Sequence, residues 1–156
     1  AAEPRLAVLT GRGDLDPAHP ALEAGALVLT TAPGASRLAR RLPQASSVLV
    51  LGGGPSIDLG GALAALRSEG HDLVLSEGGP SVIGGLLETG LLDELFLTLS
   101  PVLAGRPGPD RRPGAMDGAR PGLVEGVELL PGREVRGEIA SIRRHGSHLF
   151  LRYLLR

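Results

Sequence analysis

Apolar residues fall into short runs separated by glycine, proline and polar residues, and the runs have two characters. Residues 6–10, 26–31, 47–51 and 72–76 are almost continuously apolar, the pattern of strands buried on both faces of a parallel sheet. Between them, residues 35–42 read as a short helix closed by Pro43. Residues 58–66 read as a longer one, with Asp58 as N-cap and Gly70 as stop. A further helix begins at Pro80 and ends near Gly90. Beyond it the pattern changes. Residues 93–100 alternate, with Leu95, Leu97 and Leu99 facing one way and Phe96 and Thr98 the other. Runs at 126–130, 134–144 and 149–155 follow, the last two joined by Gly146-Ser147 as an antiparallel hairpin. Strands alternating with helices, then antiparallel strands, predict an α/β fold: a mixed, mostly parallel sheet flanked by helices with a C-terminal antiparallel hairpin, in one domain over residues 1–156. Residues 105–122, rich in Gly, Pro, Arg and Asp, read as an active-site flap, an interface loop or disorder.

The junction between the fourth apolar run and its helix carries the chemistry. Glu77-Gly78-Gly79-Pro80-Ser81 follows a predicted strand and opens a predicted helix. Glycines there let backbone approach a ligand closely, and proline suits the first helical turn, where its missing N–H is not needed. The free amides and the positive dipole end of a helix start favour a phosphate or carboxylate. The alternative is that the glycines only permit tight strand–helix packing. Gly-Gly-Pro-Ser also occurs at residues 53–56, but its helix begins only at Asp58, so the second copy is the better site. The dinucleotide fingerprint of glycines at relative positions 1, 3 and 6 fits neither copy. Gly79 and Gly84 have the outer spacing of a triphosphate loop, but Gly85-Leu86 stands where lysine and a hydroxyl residue are required.

Composition narrows the classes. The chain has 156 residues, 42% of them hydrophobic, enough for a real core. No apolar run approaches the ~18–20 residues of a transmembrane helix. The absence of cysteine excludes disulfides and thiolate metal sites and fits a cytoplasmic protein. A net charge of −1 and only three aromatic residues, Phe96, Phe150 and Tyr153, argue against nucleic-acid binding. All sixteen basic residues are arginine, so any phosphate clamp uses a planar guanidinium fork.

Several motifs in order resemble the RibD C-terminal reductase family, the pyrimidine reductases of riboflavin biosynthesis with a dihydrofolate-reductase-like fold. They are Leu75-Ser76-Glu77-Gly78-Gly79-Pro80-Ser81, then Leu86-Leu87 and Gly90-Leu91-Leu92-Asp93-Glu94-Leu95, then Leu97-Thr98-Leu99-Ser100-Pro101-Val102-Leu103-Ala104-Gly105. Leu9-Thr10-Gly11-Arg12-Gly13-Asp14-Leu15-Asp16-Pro17 and Leu149-Phe150-Leu151-Arg152-Tyr153 are similar too. The resemblance implies NADPH-dependent hydride transfer to the ribosyl carbon of 5-amino-6-(5-phosphoribosylamino)uracil or a close analogue, in a homodimer. It implies that Gly78, Gly79, Pro80 and Ser81 hold the cofactor pyrophosphate, that Glu77 lies near the nicotinamide or substrate as the candidate catalytic side chain, and that Thr10 and Arg12 lie near the adenosine 2′-phosphate. A guanidinium is chemically suited to that last role, although an exposed loop arginine is the plain alternative. Family members carry a further N-terminal section before the position of Ala1. The expectation is that this section comes from another chain or has been cut away.

Other candidates carry less. Asp93 and Glu94 are neighbours on a strand and face opposite sides, so they form no dyad. His145 and His148 flank a turn without a third ligand, so no metal site is expected, and His19 and His71 read as solvent-facing. No serine sits in a Gly-x-Ser-x-Gly elbow. Arg111 and Arg112 are candidates for a substrate phosphate or simply residues of a solvated loop. Two rival functions stand beside the reductase: a non-catalytic nucleotide-binding or assembly subunit, and a reductase of the same fold acting on a pterin.

Overall fold

The computed structural model describes residues 4–54, 56–103 and 122–155 and divides into two compact units, residues 1–74 and 75–156. The expectations for residues 105–121, Arg111 and Arg112 among them, lie outside the described residues.

In the first unit, β1 (Ala7–Thr10), β2 (Leu27–Thr30) and β3 (Ser47–Val50) form a parallel sheet in the order β1-β2-β3. The central strand is buried along its whole length because helices cover both faces. On one face Val28 packs with Leu22 of α1 (Pro20–Glu23) and Leu38 of α2 (Ala32–Leu38). On the other, Leu27 and Leu29 pack with Ala62 and Leu66 of α3 (Leu59–Ser68). Asp58 is the N-cap residue of α3, but its side chain makes no capping hydrogen bond. Gly70 ends that segment with φ of 88°. The apolar pattern leaves the short helix α1 unmarked. His19 caps it, its Nδ1 accepting from the Ala21 amide at 3.2 Å, and stays exposed as expected, whereas His71 is half-buried.

The second unit holds α4 (Pro80–Glu88) and an antiparallel sheet of β4 (Glu94–Leu99), β5 (Gly137–His145) and β6 (His148–Leu155), ordered β4-β6-β5. Alternation along β4 holds for Leu95 and Leu97, half-buried while Phe96 is 64% exposed, and lapses at Leu99, which is 47% exposed at the end of the strand. The Phe96 face carries Arg152 directly opposite on β6, its Nε donating to Glu94 Oε2 at 2.7 Å and its Nη2 to Glu94 Oε1. That bidentate hydrogen bonding holds the Glu94 carboxyl below the usual carboxylate range.

Two expected strands do not form. Residues 72–76 carry no regular secondary structure and join no ladder among the described residues, and Leu73 is 92% and Leu75 76% exposed. An apolar run marks strand propensity, but a strand exists only where a neighbour supplies hydrogen bonds. Residues 126–130 form no strand: Gly126 bends the chain with φ of 82°, and a turn begins at Leu130, where the Arg133 amide bonds to the Leu129 carbonyl.

Candidate functional site

Helix α4 starts where the sequence placed it. Gly79 is its N-cap residue, with φ of −72° and ψ of 179°, and Pro80 occupies the first turn. No side chain caps this end, so its first-turn amides are not covered from within by a protein side chain. The amides of Val82 and Ile83 both point back to the Gly79 carbonyl, at 3.0 and 3.2 Å, the start of the helical ladder. Ser81 is exposed beside this opening.

The two junction glycines, equivalent by sequence, have different reasons. A Cβ on Gly78 would sit 2.9 Å from both Cβ and Cγ1 of Val82, so its absence lets the chain fold back against the helix. A Cβ on Gly79 would meet nothing within 4 Å, and its backbone is extended, a conformation any residue adopts. The packing explanation therefore accounts for Gly78 and leaves Gly79 without one. Gly84, farther along α4, is buried against the Glu125 carbonyl, whose own amide donates to the Pro80 carbonyl at 3.2 Å. That glycine seats residues 122–127 on the helix and explains why α4 tolerates one in its middle.

Glu77 precedes the junction, with its side chain exposed and in no ion pair among the described residues. A shallow concavity lined by Leu87, Gly90, Leu92, Asp93, Val135 and Leu155 lies at the opposite end of α4 from Gly79. The histidines of the hairpin, His145 and His148, are paired across β5 and β6 and exposed, and no cluster of three metal-ligating side chains occurs among the described residues.

Thr10 and Arg12 belong to the first unit. The Thr10 hydroxyl accepts from the Gly13 amide at 3.1 Å, closing the turn that carries Arg12. The Arg12 side chain is 85% exposed, its nearest acid being Asp14 at 3.7 Å. What sequence reasoning did not find is how that turn is anchored. Thr30 and Thr31, both 0% exposed, lie at the end of β2. The Thr30 hydroxyl donates to the Thr10 carbonyl at 2.6 Å, and the Thr31 hydroxyl to the Gly11 carbonyl at 2.7 Å. Thr31 also caps α2, its hydroxyl oxygen accepting from the Gly34 amide at 3.1 Å. Gly13 and Gly34 approach so closely that neither has room for a Cβ. Two threonines followed by a helix start are the visible signal, since threonine at a strand end is a ready cap.

What the arrangement can do follows from its donors. The α4 start leaves the Gly79 and Ser81 amides to face an anion, those of Val82 and Ile83 being bonded to the Gly79 carbonyl and that of Gly78 to Ser76 Oγ. The Arg12 turn separately offers a guanidinium, and each by itself suits a phosphate group.

Comparison with solved structures gives the same architecture. A pyrimidine reductase-like protein from Corynebacterium diphtheriae superposes with a TM-score of 0.72 at 22% identity, over 97% of this chain and 61% of that one. RibD from Acinetobacter baumannii superposes in two crystal forms, with TM-scores of 0.70 and 0.68 at 18% and 17% identity, over 98% of this chain and 38% of that one. The chain thus spans less than two thirds of the length of these relatives, and at such identities the likeness speaks for the fold. No curated protein matches at the level of sequence. The RibD C-terminal domain model matches residues 1–120, most of the chain, and with a mixed α/β architecture shared with RibD the chain belongs to the RibD C-terminal domain family, a reductase family of the riboflavin pathway.

Proposed function

We propose that the chain is an NADPH-dependent oxidoreductase that reduces 5-amino-6-(5-phosphoribosylamino)uracil, or a close analogue, in riboflavin biosynthesis. The observation that carries this reading is the uncapped start of α4 at Gly79, where a glycine without a packing role stands beside amides suited to a diphosphate. Gly78, Gly79, Pro80 and Ser81 would hold the pyrophosphate, with Thr10 and Arg12 near the adenosine 2′-phosphate. When bound, the dihydronicotinamide supplies a hydride, which adds to the ribosyl carbon C1′ as its bond to the ring oxygen breaks and that oxygen takes a proton from solvent. The chain's own part is then to orient the two reactants, which can supply several kcal/mol of the barrier. Glu77 would lie near the nicotinamide or substrate, as an orienting carboxylate. A cytoplasmic setting fits the lack of cysteine.

A homodimer belongs to the same reading. Phe96 and Phe150, two of the three aromatic residues, are 64% and 42% exposed on one face of the antiparallel sheet, an unusual place for them unless a partner covers it.

The test is NADPH oxidation, followed by absorbance, with the pyrimidine ribosylamine phosphate and with dihydrofolate as alternative substrates. Turnover of the first alone supports the reading. Turnover of dihydrofolate alone favours the pterin reductase, and NADPH binding with no turnover of either favours a nucleotide-binding subunit.

A further inference from the structure

The end of the β5–β6 hairpin carries two side chains that have no part in the dinucleotide site. Gly146 and Ser147 make a two-residue turn, with Gly146 at the positive φ of 56° that the first position of such a turn favours. The turn sets His145 directly opposite His148. Residues so paired across an antiparallel ladder stand on one face, their Cβ atoms roughly 4.5–5.5 Å apart. Both histidines are exposed, and neither imidazole takes part in a hydrogen bond or ion pair among the described residues. His19 shows the contrast, since its ring nitrogen is occupied in capping α1.

What such a pair can do follows from imidazole chemistry. Neutral histidine is the commonest metal ligand. A metal ~2.0–2.1 Å from each of two nitrogens needs them about 3 Å apart, within reach of two rings leaning toward each other across the ladder. A site closed by protein alone would need a third ligand, and none is clustered there among the described residues, so water fills the remaining positions. The next pair on the same face is Arg143 with Phe150, and Arg144 stands on the other face, so the hairpin end supplies no carboxylate. Oxygen-seeking Mg²⁺ and Ca²⁺ are disfavoured there, which leaves the borderline ions that imidazole suits.

We propose that His145 and His148 chelate one borderline divalent transition-metal ion, of the class of Ni²⁺, Cu²⁺ or Zn²⁺, with water completing its coordination. The site is independent of the dinucleotide reading. Its effect is a cross-link between β5 and β6 at the end of their hairpin. Strand β5 is exposed at every position but Ser141, and β6 is its one ladder partner among the described residues. An ion that binds only the paired strands stabilises them by mass action.

Calorimetric titration of the tag-free protein with Ni²⁺ and Zn²⁺, alongside thermal melting, tests this. One ion should bind per chain, and the melting temperature should rise in Ni²⁺ but not in Mg²⁺. His145→Asn and His148→Asn should each weaken Ni²⁺ at least about tenfold, and the double variant little further, because a chelate loses its advantage with either ring. His148→Leu combined with Leu149→His keeps both imidazoles but moves one to the opposite face of the ladder, and should weaken Ni²⁺ as much. His19→Asn and His71→Asn should change nothing. Losses in the two single variants that add up in the double would show two separate one-ring sites and overturn the chelate. Unchanged affinity in the exchanged variant, or no Ni²⁺ binding by the unmodified protein, would overturn it as well.

Discussion

Gly79→Val separates a glycine kept for folding from one kept for a ligand. The folding side of the estimate is small. The residue has φ of −72° and ψ of 179°, which valine adopts without strain, and its Cβ would enter open space. Valine is a poorer N-cap than glycine, a cost of up to about 1 kcal/mol. Replacing glycine also narrows the unfolded ensemble, a gain of roughly 0.4–1 kcal/mol. The two offset, so the melting temperature should move by no more than about 4 °C. The binding side is larger. An isopropyl group filling that open space would deny a diphosphate seated at this helix start at least one charge-assisted hydrogen bond, worth about 1.5–3 kcal/mol. NADPH affinity should fall at least about tenfold, or 1.4 kcal/mol, and NADH affinity should fall with it. Calorimetric titration and thermal melting on the same preparation read both sides. Unchanged affinity would remove the pyrophosphate from this helix start. A collapse in melting temperature would show that Gly79 has a packing role after all.

Gly84→Ala should behave in the opposite way. Its Cβ would collide with the Glu125 carbonyl, a backbone atom that cannot swing aside. Against a helix-propensity gain of about 1 kcal/mol stand roughly 1–3 kcal/mol of overpacking and 0.5–1.5 kcal/mol for the strained bond between the Glu125 amide and Pro80 carbonyl. Urea unfolding should show a net loss of stability, and a stabilised variant would contradict the packing described for α4. Acid titration checks the sheet of the second unit. Arg152 lowers the Glu94 pKa, so the pair's contribution is complete above the ordinary carboxylate value and is lost as pH falls through the lowered one. The stability curves of the unmodified protein and Glu94→Gln should therefore converge in acid, and a gap that persists or widens there would refute the assignment.

Periodicity alone marked most elements, because burial on one or both faces of a sheet leaves its trace in the order of residues. The near-continuous runs became β1, β2 and β3, the alternating run became β4, and Gly146 turns the hairpin of β5 and β6 with φ of 56°. The start of α4 was legible for a local reason, a proline suited to the first turn directly after a glycine, although the same Gly-Gly-Pro-Ser at residues 53–56 reaches its helix only at Leu59. Residues 72–76 show the limit. Their composition is that of a strand, yet pairing depends on a neighbour remote in sequence, and no local pattern records whether one is present.

The chain order by itself therefore determined most of the segments that become strands and helices and where the glycine bend that opens α4 lies, since those depend on residues a few positions apart. Tertiary structure decided which of the two adjacent glycines packs against Val82 and which stays open. It also decided that Thr30 and Thr31 hold the Arg12 turn, and that Arg37 meets Asp14 from another helix. The threonine and arginine contacts join segments distant along the chain, set by how the sheet brings β1, β2 and α2 together, whereas the Gly78 contact is local and depends on the angle at which the chain enters α4.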